Sequence, residues 1–162
     1  MEAEPRRITF RRHFQQTSHS LPDPPLQRGA GPQAPLHFDL LLCSPYLRCR
    51  QSALLLNPGD AAPMVVDPRL SEFQGHKTRP HTAQDLALST QAYGSLPDRT
   101  EQWSACAQRL EAWWAWALSL RGDLLVVTHG IVVRYFQLKL RGATEWRRGR
   151  DVPYGGGFTH TV

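Results

Sequence analysis

Nowhere in the chain do apolar residues run on for the ~20 positions that a membrane-spanning helix needs. The opening MEAEPRR likewise has no apolar core of the secretory-signal kind, so no membrane partner is expected. Cysteine is scarce. Cys43, Cys49 and Cys106 are too few for a disulfide scaffold and lack metal-ligand spacing, which suggests a reducing, cytoplasmic setting. Metal signatures are missing too: no HxH or HExxH occurs, so a metallohydrolase built from His13, His76, His129 and Asp67 would have only scattered residues to draw on. Neither a metal nor another cofactor is expected. Acidic residues are the minority charge, 14 against 19 Lys and Arg, leaving a formal charge of +5. That favours anionic partners. The arginines are spread rather than massed and aromatics do not interleave with them, so a nucleic-acid partner is not expected.

What remains is a chain of 162 residues, 41% hydrophobic and 20% charged, long enough to bury one core. With no repeat and no boundary in composition, a single domain over 1–162 is expected. The stretch ITFRRH, residues 8–13, reads as a strand delivering Arg12 and His13 at its end. Residues 18–35 are Pro- and Gly-rich and read mostly as loop. HFDLLLCS, residues 37–44, is a compact apolar run that suits a strand buried on both faces. SPYLRCRQSALLL follows as a helix, with Ser44 placed to cap and Pro45 at the first helical position. PMVVD, residues 63–67, is a third short strand. Residues 68–99 are irregular, with a helix suggested near 82–93.

Residues 100–120 hold a long helix on which Trp103, Leu110, Trp113, Trp114 and Ala117 recur at helical spacing. Its tryptophans are better explained by core packing than by ligand stacking. DLLVVTHG, residues 123–130, is another buried-strand pattern that runs into the helix IVVRYFQLKL, and GGGFTHTV adds an edge strand. Strands alternating with helices predict an α/β fold, a three-layer α/β/α sandwich on a mostly parallel sheet.

In such folds ligands bind where strands end at their carboxyl side. Four strands here end in polar clusters: Arg12-His13, Ser44 with Arg48, Asp67 with Glu72, and Thr128-His129-Gly130. Each alone is weak, since a single strand-end histidine is more often structural. Together they describe an anion site. Helix N-termini supply N–H groups and a positive dipole end, and arginines offer forked donors for tetrahedral oxygens. A neutral imidazole can attack phosphorus while a carboxylic acid protonates the departing oxygen.

At these residues the chain resembles the histidine phosphatase superfamily, also called phosphoglycerate-mutase-like. The family opens with Arg-His-Gly, here Arg12-His13-Phe14, and continues with Pro-Leu-Thr and Gln-Ala, here Pro25-Leu26-Gln27 and Gln33-Ala34. SPYLRCRQSA is similar to its second-arginine pattern and selects Arg48 over Arg50. DPRLSEFQG is similar to the segment bearing the acid, Glu72; EQWSACAQR supplies Glu101 and Arg109; VVTHG supplies His129. The resemblance implies a phosphohistidine on His13, an anion pocket from Arg12, Arg48 and His129 with Gly130 beside it, and proton transfer by Glu72.

Several departures stand out. Phe14 replaces the glycine whose missing side chain lets the backbone pass close to phosphate, His19 replaces an asparagine that helps hold phosphate, and Gln27 and Ala30 replace Thr and Gly. A catalytically weak phosphate-binding or scaffold protein is the alternative they raise. The short interval from Glu72 to Glu101 implies a small cap, as in small phosphohistidine phosphatases. A phosphatase acting on a phosphorylated small molecule or phosphoprotein is therefore the expectation.

Overall fold

The computed structural model describes residues 4–16, 26–27, 37–73, 101, 103–141 and 152–162. In chain order the strands are β1 (Arg7–Arg12), β2 (Gln15–Gln16), β3 (Leu26–Gln27), β4 (Leu40–Cys43), β5 (Met64–Val66), β6 (Leu124–Thr128) and β7 (Gly157–Thr161). The α-helices are α1 (Leu47–Leu56), α2 (Trp103–Ser119) and α3 (Gly130–Leu140), with 3-10 turns at Pro58–Asp60 and Pro68–Leu70. Five strands form the main sheet in the order β5-β4-β6-β1-β7. The first four are parallel and β7 runs antiparallel along the β1 edge. Strands β2 and β3 pair as a separate short antiparallel ribbon, β3 falling in the stretch that the sequence marked as mostly loop.

Strand β6 lies in the middle and is buried along its whole length, as its unbroken apolar run requires. Its side chains alternate between two faces. Leu124 and Val126 join Ile8, Phe10 and Leu42 under α2 and α3, whereas Leu125 and Val127 join Leu41 and Cys43 under α1. The sheet is thus sandwiched between helices on both sides, the three-layer arrangement expected of βα alternation. On α2, Cys106, Leu110, Trp113, Trp114 and Ala117 face the sheet. Phe10 stacks on Phe136 at 4.9 Å and on Phe158 at 5.0 Å, with Trp113 edge-on at 5.9 Å. These two tryptophans are core, not a ligand platform.

Helix α1 buries only small side chains, Cys49, Ser52 and Ala53, which lets it lie close to the sheet. It starts at Leu47, with Tyr46 in an extended N-cap conformation and no side-chain cap. The expected Ser44 cap and Pro45 first turn are therefore corrected. Ser44 is drawn away because its hydroxyl sits 2.8 Å from His129 Nε2. The helix suggested near 82–93 lies outside the described residues. Among the described residues no helix is long and apolar enough to cross a membrane.

Trp113 is fully buried at the centre of the aromatic cluster. Trp113→Ala is expected to cost about 3–5 kcal/mol of stability, read as a lowered urea midpoint at unchanged slope.

Candidate active site

Register brings the first two members together. Arg12 pairs with Thr128 across the parallel β1–β6 ladder, and His13 N donates to Thr128 O at 2.9 Å. His13 and His129 are the next residues on each strand, so their rings meet edge to face at 5.5 Å. Strand β4 flanks β6 on the other side, and Ser44 N donates to Val127 O at 3.0 Å. From Ser44 the chain turns into α1, whose first turn carries Arg48 over the rim.

The hydrogen bonds assign each imidazole a tautomer. His13 Nδ1 lies 2.8 Å from Phe14 O, a pure acceptor, so Nδ1 carries the proton. That leaves a lone pair on Nε2, which accepts from Arg48 Nε at 3.2 Å. Arg48 Nη2 lies 3.2 Å from His129 Nδ1. A guanidinium only donates, so Nδ1 accepts and Nε2–H of His129 donates to Ser44 Oγ. Arg48 therefore bridges both histidines, while Arg50 points outward and is exposed.

Arg12 lies at the same corner. Its Nη1 donates to Val152 O at 2.5 Å, its guanidinium stacks 3.9 Å above the Tyr154 ring, and its Nε is buried without a partner. No carboxylate pairs with Arg12 or Arg48 among the described residues. Gly130 opens α3 directly against Arg12, and a methyl group there would sit 3.1 Å from Arg12 Nε. The glycine is needed for that approach.

Glu72 approaches His129 at the nitrogen that Arg48 also meets, with Oε2 3.7 Å from Nδ1. Its segment is tethered from behind. Arg109 donates to Arg69 O at 2.6 Å and to Glu72 O at 3.2 Å, and is itself held by Glu101 at 2.7 Å. Thr128 Oγ1 donates to Leu70 O at 2.7 Å. The Glu101–Arg109 pair on the α2 side thus positions the carboxyl.

The structure brings together Arg12, His13, Arg48, Glu72, His129 and Gly130. His19 lies outside the described residues, as does His76. Asp67 does not join the site: its carboxylate caps the 3-10 turn through Arg69 N and pairs with the Arg69 guanidinium at 2.7 Å. Among the described residues no cluster of three or more His, Cys, Asp or Glu is placed to hold a metal. Phe14 does not disturb the loop it occupies. Its ring lies in the space a Cβ at Gly155 would need, 2.9 Å away, and its N–H donates to Ser52 Oγ at 2.9 Å.

Several contributors escaped the sequence reading. Ser52 accepts from Phe14 N and donates to Arg48 O at 2.6 Å, tying α1 to the His13 loop. Its signal was a hydroxyl four residues past Arg48. Cys49 Sγ lies 3.5 Å from His129 Nε2, and Tyr46 packs its ring edge-on against His129 at 4.6 Å. Val152 and Tyr154 had no local signal at all. They arrive from more than a hundred residues away.

A family model for the histidine phosphatase superfamily (branch 1) matches residues 29–153. The chain belongs to that superfamily. The matched segment begins after β1, so Arg12 and His13 enter the site through the sheet register described above. Among solved structures, a protein named as an alpha-ribazole-5'-P phosphatase from Escherichia coli K-12 aligns at TM-score 0.58 and 26% identity, covering 85% of this chain and 80% of that one. The alpha-ribazole phosphatase from Shigella flexneri aligns over the same shares at 0.55 and 24%, and YhfR from Bacillus stearothermophilus at 0.58 and 19%. No curated protein matches in sequence. Membership of that superfamily supports a phosphatase-type activity, and the solved structures share its fold.

Burial pushes the Cys43 and Cys106 thiols up to about 11 and the Cys49 thiol higher still. Native protein at pH 8 should therefore resist iodoacetamide at all three, and react fully in urea, as read by mass spectrometry. Gly130→Ala should displace Arg12 and lower kcat/KM about tenfold, with little change in melting temperature.

Proposed function

We propose that the protein hydrolyses phosphomonoesters through a phosphohistidine on His13, with Glu72 as the proton donor. The observation that carries this reading is the commitment of His13 Nδ1 to Phe14 O, which presents Nε2 as a lone pair beside Arg48 and His129. Two guanidinium groups without carboxylate partners among the described residues and the N-termini of α1 and α3 surround the same space. A dianionic phosphoryl group matches that field in charge and in donor geometry.

When the anion enters, its oxygens take over the donors that Arg48 gives to the imidazoles, which frees His13 Nε2. The nitrogen attacks phosphorus, the N–P bond forms, and the bond to the leaving oxygen breaks. Glu72, in its protonated form, gives its proton to that oxygen and the alcohol departs. Glu72, now a carboxylate, takes a proton from water as the water attacks phosphorus. The N–P bond breaks, inorganic phosphate leaves, and His13 is again neutral. Arg12 and Arg48 stabilise the charge on the equatorial oxygens throughout, the kind of fixed electrostatic stabilisation worth about 10²–10³ per donor. His129 joins them once Arg48 has turned to the anion and a proton on Nδ1 makes that nitrogen a donor.

The substrate is a phosphorylated small molecule or an exposed phosphate on a protein. The neighbour named as an alpha-ribazole-5'-P phosphatase supports hydrolysis of a small phosphomonoester. Orthovanadate is expected to inhibit, and a chelator to leave the rate unchanged. His13→Ala is expected to abolish turnover across a phosphoester panel. Glu72→Gln should lower kcat about 10²–10⁴-fold on alkyl phosphates and far less on p-nitrophenyl phosphate, whose leaving group needs no proton. Turnover by His13→Ala at the wild-type rate would sink the mechanism. Vanadate binding with no turnover of any phosphoester would favour a phosphate-binding role instead.

A further inference from the structure

The segment from Val152 to Gly156, just ahead of β7, holds the Arg12–His13 corner at several points. Gly155 N donates to Arg12 O at 3.1 Å and to His13 O at 3.2 Å, and Arg12 N donates to Gly156 O at 2.8 Å. Val152 O takes Arg12 Nη1. At the tip, the Tyr154 ring lies 3.9 Å beneath the Arg12 guanidinium and 5.5 Å from the His13 ring. Gly155 adopts φ 70°, which allows the tight turn that aims the tyrosine back at the site.

The division of Arg12's donors is informative. One end of the guanidinium is spent on a backbone carbonyl and one face on an aromatic ring. The Nε–H is buried and has no acceptor. Nε and Nη2 share the edge whose parallel N–H bonds can grip two oxygens at once. An arginine left to itself would spread over many rotamers and lose that freedom on binding. A ring stacked on its plane removes that cost beforehand, and the attraction strengthens where water is excluded.

We infer that Tyr154 is a positioning residue for the phosphoryl group, stacking on Arg12 to hold its Nε–Nη2 edge ready as a fork for two phosphoryl oxygens. This rests on the reading that Arg12 binds the transferred group. The ring performs the task and the hydroxyl does not take part.

Calorimetric titration with orthovanadate tests this on wild type, Tyr154→Phe, Tyr154→Leu, Arg12→Lys and the Arg12→Lys/Tyr154→Leu double variant. Tyr154→Phe should bind within about twofold of wild type, and Tyr154→Leu about tenfold more weakly. In the Arg12→Lys background, which has no fork to align, Tyr154→Leu should change binding by less than about twofold. Equal losses in both backgrounds would make Tyr154 merely structural and overturn the inference. So would unchanged binding in Tyr154→Leu, or a loss in Tyr154→Phe as large as in Tyr154→Leu. Melting curves check folding, and Tyr154→Met makes the same comparison if the leucine variant does not fold. A wild type that binds no vanadate would remove the proposed function and this inference together. Tight wild-type binding with an indifferent Tyr154 removes the inference alone.

Discussion

The site depends on one strand pairing. Because β1 lies parallel to β6 with Arg12 opposite Thr128, both strands leave the sheet at the same level, and each is followed at once by a histidine. A slip of one residue would turn Phe10 out of the aromatic core and move the His13 ring away from His129. The register is therefore enforced by hydrophobic packing, and the chemistry rides on it. Nothing in the His13–His129 contact needs to stabilise itself. Helix α1 joins the arrangement for a similar reason: its small buried face lets Arg48 reach over the rim to both imidazoles.

The two ends of the sheet differ in how they handle charge. At the amino ends of the parallel strands, Arg7 is paired with Asp123 at 2.6 Å, and Asp39 accepts from Asp123 N at 2.7 Å. At the carboxyl ends, Arg12 and Arg48 have no such carboxylate among the described residues. Each is instead laid on a tyrosine, Arg12 on Tyr154 and Arg48 on Tyr46 at 4.6 Å. Aromatic faces stabilise a cation without cancelling its charge. An ion pair would stabilise the resting protein and compete with an anionic ligand. The tyrosines hold the guanidiniums in place and leave their field intact, at some cost in stability, as functional sites commonly show.

Phe14 illustrates how a motif departure is absorbed. A glycine is favoured after the nucleophile because the backbone passes close to the ligand there. In this chain the backbone does what the site needs: its carbonyl takes the His13 proton and its N–H is held by Ser52. The ring is accommodated at Gly155, across the turn, where a Cβ would collide with it. The glycine requirement has in effect moved to the facing segment, so Phe14 and Gly155 are mutually dependent.

Much of this was legible in the order of residues. Alternation and apolar runs marked β1, β4, β5, β6 and β7, helical spacing marked α2 and α3, and the polar residues at strand ends marked the rim. Those signals are local, because period and propensity act over a few neighbouring residues. The choice of partner is not local. Ser44 looked like a helix cap until His129, arriving from 85 residues on, claimed its hydroxyl. Asp67 looked available until Arg69 folded back on it, and nothing near Arg12 announced Val152 or Tyr154. Residue types and their rhythm were enough to predict an α/β sandwich with a cationic rim. Which nitrogen of His13 carries its proton, and which way Arg12 can point, were decided only by folding, because those properties belong to contacts between distant segments.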